Sequence, residues 1–550
     1  MIDSSLFVLS MATINFWAGR HSTLTITDLF ISNPNLTYSM ADRITRRWAS
    51  QGDTLKLFPA CVLLSHLTGY NVKAGLITDI YREEVLSITG DNPLGKFIFD
   101  RAGKLTKGQR DTLQMIPAHV PRSIARISAA LLKVYLSLSP QVPKGTRAYI
   151  WDSLDLKDKR AYENKYVRDV SKEAYALQVA CLLMDSLRAA VRREGSKMKS
   201  LLVPTPWGNV AFGGSDSDSF PDAILVVDAG GDDTYGSVIF GYDAGGDDNY
   251  TSSVGFGRFG VAVFVDEAGD DTYAGEGMGA GFVGFGVLMD VSGNDTYRGK
   301  VFSQGAGYGG GGLLLDVSGN DSYYAYQKSQ GFGWVSGVGI LADLSGNDTY
   351  TLEDSIVLFP SPQDPKHNSS LGQGMGFGER RDFYDGRSLA GGVGMLLDAA
   401  GDDVYSAGIF AQGSGYWFGS GILYDGGGND AYSGVWYVQG AAAHFALGVL
   451  YDLRGDDAYL ATRSTSQGVG HDFSYGILID GEGGDTYTCG NLCLGSGNAQ
   501  GVGIFWDKDG RLRTNLRGKG LGFANPATDS LSVRSLFPTK GVVCKGKSCP

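Results

Sequence analysis

The chain reads as mainly β: a parallel β-helix, a solenoid of about 27 residues per coil, preceded by an α-helical N-terminal domain. Three observations predict this. A short pattern recurs ten times: an apolar strand, an Asp, a Gly-rich turn, a second Asp five residues on, one further residue, and Tyr. Asp343 to Tyr350 (DLSGNDTY), Leu396 to Tyr405 (LLDAAGDDVY) and Asp425 to Tyr432 (DGGGNDAY) are three copies. The interval between copies settles at 27 residues, with one doubled interval of 55. Composition also breaks near residue 200: 66 of the 81 glycines lie in 201–510, and helical periodicity precedes them.

Charge divides the chain in the same places. Residues 1–200 carry a balance of +10, 201–510 a balance of −29, and 511–550 a balance of +7. Three domains follow: a helical domain over 1–205, the repeat body over 206–510, and a basic C-terminal tail over 511–550 that caps the open end of the stack. So acidic a body disfavours nucleic acid, whose phosphates need cationic cover.

In the first domain, Met40 to Leu67 reads as helical with Ser39 as its N-cap. Ser123 to Ser137 puts Ile124, Ile127, Ala130, Leu131 and Val134 on one stripe. Glu173 to Glu194 does the same over about six turns and meets Gly195, a C-cap candidate. Pro117, Pro121, Pro140 and Pro143 punctuate the connections. No P-loop, HExxH or GxSxG motif is present, so the domain reads as a cap shielding the first coil, with recognition or anchoring as the competing role. The first 20 residues contain an apolar run but neither a basic n-region nor an A-x-A site, which supports a signal peptide only weakly. No other segment reads as a transmembrane span, and the protein reads as soluble.

Within the body, a period of 27 suits three short strands and three turns per coil, about 11 coils in all, with neighbouring strands about 4.8 Å apart. Glycine supplies positive φ at the corners. In register, Tyr235, Tyr250, Tyr273, Tyr297, Tyr323, Tyr350, Tyr405, Tyr432, Tyr459 and Tyr487 form one stack. Gln304, Gln330, Gln373, Gln412, Gln439, Gln467 and Gln500, each followed by Gly, form a second ladder in which each amide bonds the next. Two carboxylates per coil would repel by several kcal/mol in total unless compensated. Three compensations are available: capping of turn N–H groups, exposure to water, or a hard cation such as Ca²⁺.

The turns DGGGNDAY, DAGGDDTY (Asp228–Tyr235) and DLSGNDTY resemble the GGxGNDx-aliphatic nonapeptide of the RTX calcium-binding β-rolls, secreted bacterial proteins. Here Asp replaces the first Gly, Tyr replaces the aliphatic residue, and the period is 27 rather than 18. Residues 213–510 also resemble a group of bacterial proteins with QGxG…GxLxDxxGDDxY repeats behind a helical domain, a likeness that carries architecture and no activity. The RTX resemblance implies Ca²⁺ as cofactor at the paired positions Asp266/Asp271, Asp290/Asp295, Asp316/Asp321, Asp343/Asp348, Asp398/Asp403, Asp425/Asp430 and Asp452/Asp457, with turn capping without metal as the alternative.

The doubled interval holds two insertions in one coil, at 351–372 and 379–390. Solenoid insertions map to loops, often on the binding face. The first carries His367; the second carries Arg380, Arg381, Asp382, Asp385 and Arg387 in an otherwise Arg-poor body. Trp417, His444 and Asp472 each lie eight residues before the first Asp of their coil, and His471 adjoins the last. Arg380, Arg381, Asp382, Arg387, Trp417, His444, His471 and Asp472 thus form a candidate site for an acidic sugar or another anionic ligand.

Of six cysteines, Cys489/Cys493 and Cys544/Cys549 are close pairs that suit disulfides in an exported protein, whereas Cys61 and Cys181 read as buried packing residues. The function most consistent with these features is a non-enzymatic repeat protein, extracellular, periplasmic or on the cell surface, that binds a glycan or protein partner. The alternative is a β-helix polysaccharide lyase or hydrolase with its site near the insertion coil. Ten equal Asp pairs argue against catalysis, which needs one distinctive constellation.

Overall fold

A computed structural model describes residues 24–70, 85, 87–138, 170–381, 388–509, 513–516, 522, 524–525 and 539–545. Residues 201–545 form a parallel β-solenoid with three faces. The first face is a 14-stranded sheet whose longest strands are six residues, such as Gly311–Asp316 and Val338–Asp343. The second is a 12-stranded sheet of short strands centred on the tyrosines. The third comprises two-residue strands in groups of three and six, joined through isolated bridges at Gly333.

The predicted register holds. Tyr297 pairs with Tyr323 and Tyr323 with Tyr350, while Asp316 pairs with Asp343 and Asp343 with Asp398. Across the insertions, Tyr350 and Tyr405 still stack at 4.8 Å and 4°. The Gln-Gly corner uses two consecutive left-handed residues, Gln304 at φ 51° and Gly305 at φ 75°. A Cβ on Gly305 would meet the Ile340 carbonyl oxygen at 1.9 Å, so the second position requires glycine.

The glutamines do not form the expected amide ladder. Gln304 Nε2 donates to the carbonyl oxygens of Tyr297 in its own coil and Tyr324 in the next, at 2.9 and 3.1 Å. Gln330 repeats the arrangement with Tyr323 and Thr351. The buried amide thus ties the carbonyls of two successive coils together.

The helical domain is α1 (Thr25–Ser32), α2 (Asn35–Ala49), α3 (Leu57–Leu67), α4 (Pro93–Arg101), α5 (Lys107–His119), α6 (Arg122–Leu138) and α7 (Val170–Glu194). It covers the start of the solenoid, where α5 packs on Leu201–Thr205, and extends well beyond the first coil. It lies along the first face: α7 packs on Val261–Val265, α3 on Gly311–Asp316, and α1 and α2 on Ser420–Asp425. First-face strands from Val261–Val265 to Val502–Asp507 are therefore buried on both sides, unlike the terminal strands Leu201–Thr205 and Lys540–Lys545. Leu313 and Leu315 join the cluster shared with the helices, whereas Leu314 points to the tyrosine stack. Continuous apolar runs such as LLLD, rather than alternation, are what such a strand requires. Gly311 lets α3 approach, because a Cβ there would meet Leu64 Cδ1 at 2.8 Å.

Other helical expectations shift locally. Ser39 sits within α2 rather than at an N-cap. The first N–H groups of α3, at Leu57 and Phe58, are capped by Asp185 of α7 at 2.9 and 3.1 Å. Gly195 opens a 3₁₀ turn rather than closing α7 in a left-handed cap. By length and composition, Val170–Lys197 would suffice to cross a membrane; in the fold it packs between the other helices and the first face. Cys61 of α3 and Cys181 of α7 are not packing thiols but a disulfide, 120 residues apart in sequence. Cys489–Cys493 is a disulfide as expected, and Cys544 is disulfide-bonded.

The ends of the solenoid differ. At the start, Leu201–Thr205 folds back on Gly208–Phe212 as an antiparallel hairpin, placing Pro204 in the edge strand where its missing N–H costs little. At the end, the described strands of the basic tail continue the stack. Arg513–Leu516, Ala524–Asn525 and Lys540–Lys545 extend the second, third and first faces by one coil. Thr514 then pairs with Tyr487, and Lys545 with Asp507, so both ladders stop there.

A buried ion cluster fastens the helices to the sheet. Glu267 accepts from Arg188 Nε at 2.8 Å and from Arg192 at 2.6 Å, with Arg188 and Glu267 nearly inaccessible, and Arg188 also donates to the Leu55 carbonyl. Glu267→Gln would leave the Arg188 guanidinium only the more distant Asp185, at 3.9 Å, as counter-charge. A loss of about 3 kcal/mol in unfolding free energy is expected by denaturant titration; a change within about 0.5 kcal/mol would remove this cluster as the fastening.

Candidate functional site

Both members of each Asp pair point into the solenoid rather than outward from the turn. The first Asp caps its own turn: Asp425 Oδ1 accepts from the Gly427 N–H at 2.8 Å and Asp398 Oδ1 from Ala400 at 3.0 Å. Its other oxygen accepts a tyrosine hydroxyl from the preceding coil, as in Tyr297 to Asp316 at 2.6 Å, Tyr323 to Asp343 at 2.7 Å and Tyr405 to Asp425 at 2.8 Å. The second Asp accepts at Oδ1 from the backbone N–H of the second Asp one coil earlier: Asp321 from Asp295, Asp348 from Asp321 and Asp403 from Asp348, each at 2.6 Å. Its Oδ2 is buried with no hydrogen-bond partner at Asp271, Asp295, Asp321, Asp348, Asp403, Asp430, Asp457 and Asp485.

Successive carboxylates therefore gather in threes. One oxygen each from Asp266, Asp271 and Asp290 lies within 4.8 Å of the others, and the Asp290/Asp295/Asp316 and Asp316/Asp321/Asp343 groups repeat this. The early, irregularly spaced pairs Asp228/Asp233 and Asp243/Asp248 join the same series, which sequence spacing had set apart. All these oxygens are hard ligands, and two carboxylates per coil carry the charge that one divalent cation cancels, so the residues fit Ca²⁺.

Burial and neighbouring carboxylates raise the pKa of these groups. Burial and the Asp266 charge lift Asp248 to about 7 and Asp271 to about 10. Burial lifts Asp316 to about 7 against the hydrogen bond from Tyr297, and Asp290, Asp343 and Asp452 rise well above the usual range. Burial likewise holds the tyrosine hydroxyls protonated, as donors.

Sequence reasoning missed a second ladder on the outside. The residue before each second Asp faces solvent and takes the next coil's N–H, as when Asn320 donates to Asn294 at 3.1 Å and Asn429 to Asp402 at 2.7 Å. The recurring N-D or D-D pair is therefore one exterior rung and one interior rung.

The two insertions meet over one cavity of about 480 Å³ on the third face. The first folds around buried Asn368, whose Oδ1 accepts from Leu358 and Phe359 N–H and whose Nδ2 donates to Glu353 and Ile356 carbonyls. His367 is bound to Asp354 at 2.5 Å, away from the cavity lining. The second insertion closes through an antiparallel bridge between Glu379 and Leu389. Arg380 and Arg381 line the cavity; Asp382 and Arg387 lie outside the described residues.

Trp417, His444, His471 and Asp472 stand beside the cavity rather than in its wall. Arg380 joins them, lying 5.1 Å from the Trp417 ring centroid and 2.7 Å from His444 Nε2. His444 Nδ1 meets Asp472 at 2.5 Å, and since a guanidinium only donates, Nε2 must accept and Nδ1–H must donate. Burial works against the Asp472 carboxylate, but the His444 hydrogen bond and the nearby cations hold its pKa below the usual range. Burial, with His444 and Arg380 as neighbours, pushes His471 down to about 4.

Lys328, Trp334, Phe377 and Tyr416 also line the cavity, and sequence reasoning missed them. A signal existed: Trp334, Phe377 and Tyr416 each lie four residues after the Gln of a Gln-Gly corner. No protein-family model, curated protein or solved structure matches the chain.

The raised carboxyl pKa values fix the sign of a pH dependence. Folded carboxyls titrating between about 6 and about 10 hold protons that the unfolded chain releases near its ordinary carboxylate pKa of about 4. Folded protein binds more protons across this window, so stability falls as pH rises. With a chelator present, the melting temperature is expected to be higher at pH 5 than at pH 9; an equal or rising value would exclude protonated interior carboxyls.

Proposed function

We propose that this chain is a non-enzymatic, exported β-helix whose interior Asp ladder holds Ca²⁺, and that the rod serves surface structure, adhesion or recognition of a partner. The buried, partnerless Oδ2 on each successive second Asp carries the reading. An orphaned buried carboxylate oxygen costs several kcal/mol unless a proton or a cation meets it. When bound, Ca²⁺ would supply charge neutralisation and cross-link consecutive coils through Asp266/Asp271, Asp290/Asp295, Asp316/Asp321, Asp343/Asp348, Asp398/Asp403, Asp425/Asp430 and Asp452/Asp457.

The disulfides Cys61–Cys181 and Cys489–Cys493 support export, because such bonds persist in oxidising compartments. Against a hydrolase, Glu379 is the one carboxylate among the described residues lining the cavity, whereas hydrolysis uses two across the sugar.

Calcium at a hundredfold excess over Kd adds about 2.7 kcal/mol per site. A melting-temperature rise of about 5 °C or more at pH 8 on replacing chelator with Ca²⁺ is therefore expected, together with several bound ions per chain by equilibrium dialysis. At pH 5, where protons compete, the rise should shrink. Asp321→Asn separates metal from proton: its amide can donate to Asp316 as a proton would, but it deletes a cation ligand. A lower Ca²⁺ count with unchanged chelated stability is expected. No bound Ca²⁺ and no shift in a folded sample would sink the reading.

A further inference from the structure

The cavity between the insertions differs from the rest of the body in three ways. The body carries −29 over 201–510, yet three cationic residues, Lys328, Arg380 and Arg381, converge on this one cavity. Its floor holds two aromatic rings from consecutive coils, Phe377 and Tyr416, stacked at 5.1 Å and 14°. Both rings are partly exposed. Lys328 Nζ lies 3.9 Å from the Trp334 ring centroid and Arg380 lies over Trp417, so the cations are positioned against aromatic faces.

Because the two rings stack on each other, their edges front the cavity and form an apolar wall for the C–H groups of a sugar ring. A guanidinium fork matches a carboxylate in a bidentate pair. The Arg380–His444–Asp472 line fixes that fork on one side, because His444 accepts from the guanidinium while donating to Asp472. A polyanion such as nucleic acid or a polyuronate would have to run along the acidic rod on either side of the cavity, and its charges would be repelled there. A single carboxylate on an otherwise neutral glycan meets only the local cations.

We propose that this cavity is a subsite for a saccharide bearing one carboxylated sugar, its carboxylate held by Arg380, Arg381 and Lys328 and its C–H groups against the edges of Phe377 and Tyr416. The inference rests on reading the rod as a partner-recognising protein, and not on the metal ladder. The insertions make it the one coil where the repeat's symmetry is broken, as a single-copy site requires.

Isothermal titration of the full chain with sialyllactose, its methyl ester, lactose, polygalacturonate and a single-stranded oligonucleotide tests it. Sialyllactose is expected to bind, the ester and lactose at least tenfold more weakly, and the two polyanions not to bind. Arg380→Gln combined with Arg381→Gln should weaken sialyllactose at least tenfold, and Phe377→Ala should weaken it while retaining the preference over the ester. Thermal melting with and without Ca²⁺ on the same variants separates the two readings: an unchanged Ca²⁺ response with lost sugar binding places the defect in the cavity, and sugar binding without any Ca²⁺ response leaves this proposal standing alone. Because the Arg380 variant can disturb His444, Lys328→Gln provides a second cation deletion remote from that contact. Equal binding of ester and acid, unchanged binding in both cation variants, or preference for the oligonucleotide or an acidic peptide would overturn the proposal.

Discussion

Everything in the solenoid depends on burying a column of carboxylates without leaving them charged and alone. Each coil places two Asp side chains in the interior, where unpaired charge is expensive. The fold provides for most of their oxygens. A turn N–H and a tyrosine hydroxyl serve the first Asp, and a backbone N–H from the coil before serves one oxygen of the second. The remaining Oδ2 recurs at the same place from Asp271 to Asp485, so the carboxylate column carries an unmet acceptor in coil after coil. Whatever meets it, proton or divalent cation, must be repeated at the coil spacing too. Register then ceases to be adjustable: a slip of one residue would turn every Asp outward and every exterior Asn or Asp inward.

The three faces of the coil have separate duties because they have separate neighbours. The first face meets the helices, so its strands are apolar on both sides and its glycines mark close approach, as at Gly311 beneath Leu64. The second carries the tyrosines inward and the exposed rungs at its turn outward. Only the third face remains for insertions and half-exposed aromatics, and the cavity lies there. The helical domain is thus half of the solenoid's packing, and the buried Arg188–Glu267 pair sits at that joint.

The repeat itself was readable. Period, Tyr stack and paired Asp positions all follow from counting, and in-register parallel strands turn identical positions into neighbours. What counting could not supply was the partner of each group. A buried Gln ladder looks the same in sequence whether its amides bond one another or the corner carbonyls, and geometry chose the carbonyls. Cys61 and Cys181 each sit in an apolar helical context, and nothing local marks two thiols 120 residues apart as a pair. Runs such as Leu313-Leu314-Leu315 did signal strands buried on both faces, but not that α3 and α7 were the cover. Arg380, His444 and Asp472 were found because residues in register must stack. Lys328 and Trp334 were missed because they belong to the coil before the insertions, and the cavity is built from three successive coils.

Symmetry explains why the site lies where the repeat is interrupted. A uniform ladder gives ten equivalent environments and no unique one. The insertions add chain only on the third face, and the interior passes them undisturbed: Asp348 still donates to Asp403 at 2.6 Å across 55 residues, and Tyr350 still stacks on Tyr405. The interior column and the insertion surface are therefore decoupled. Substitutions in Arg380 or Phe377 alter the cavity without touching the column, whereas a change in one interior Asp propagates to the coil on each side. A rod built this way can keep one core and vary one coil.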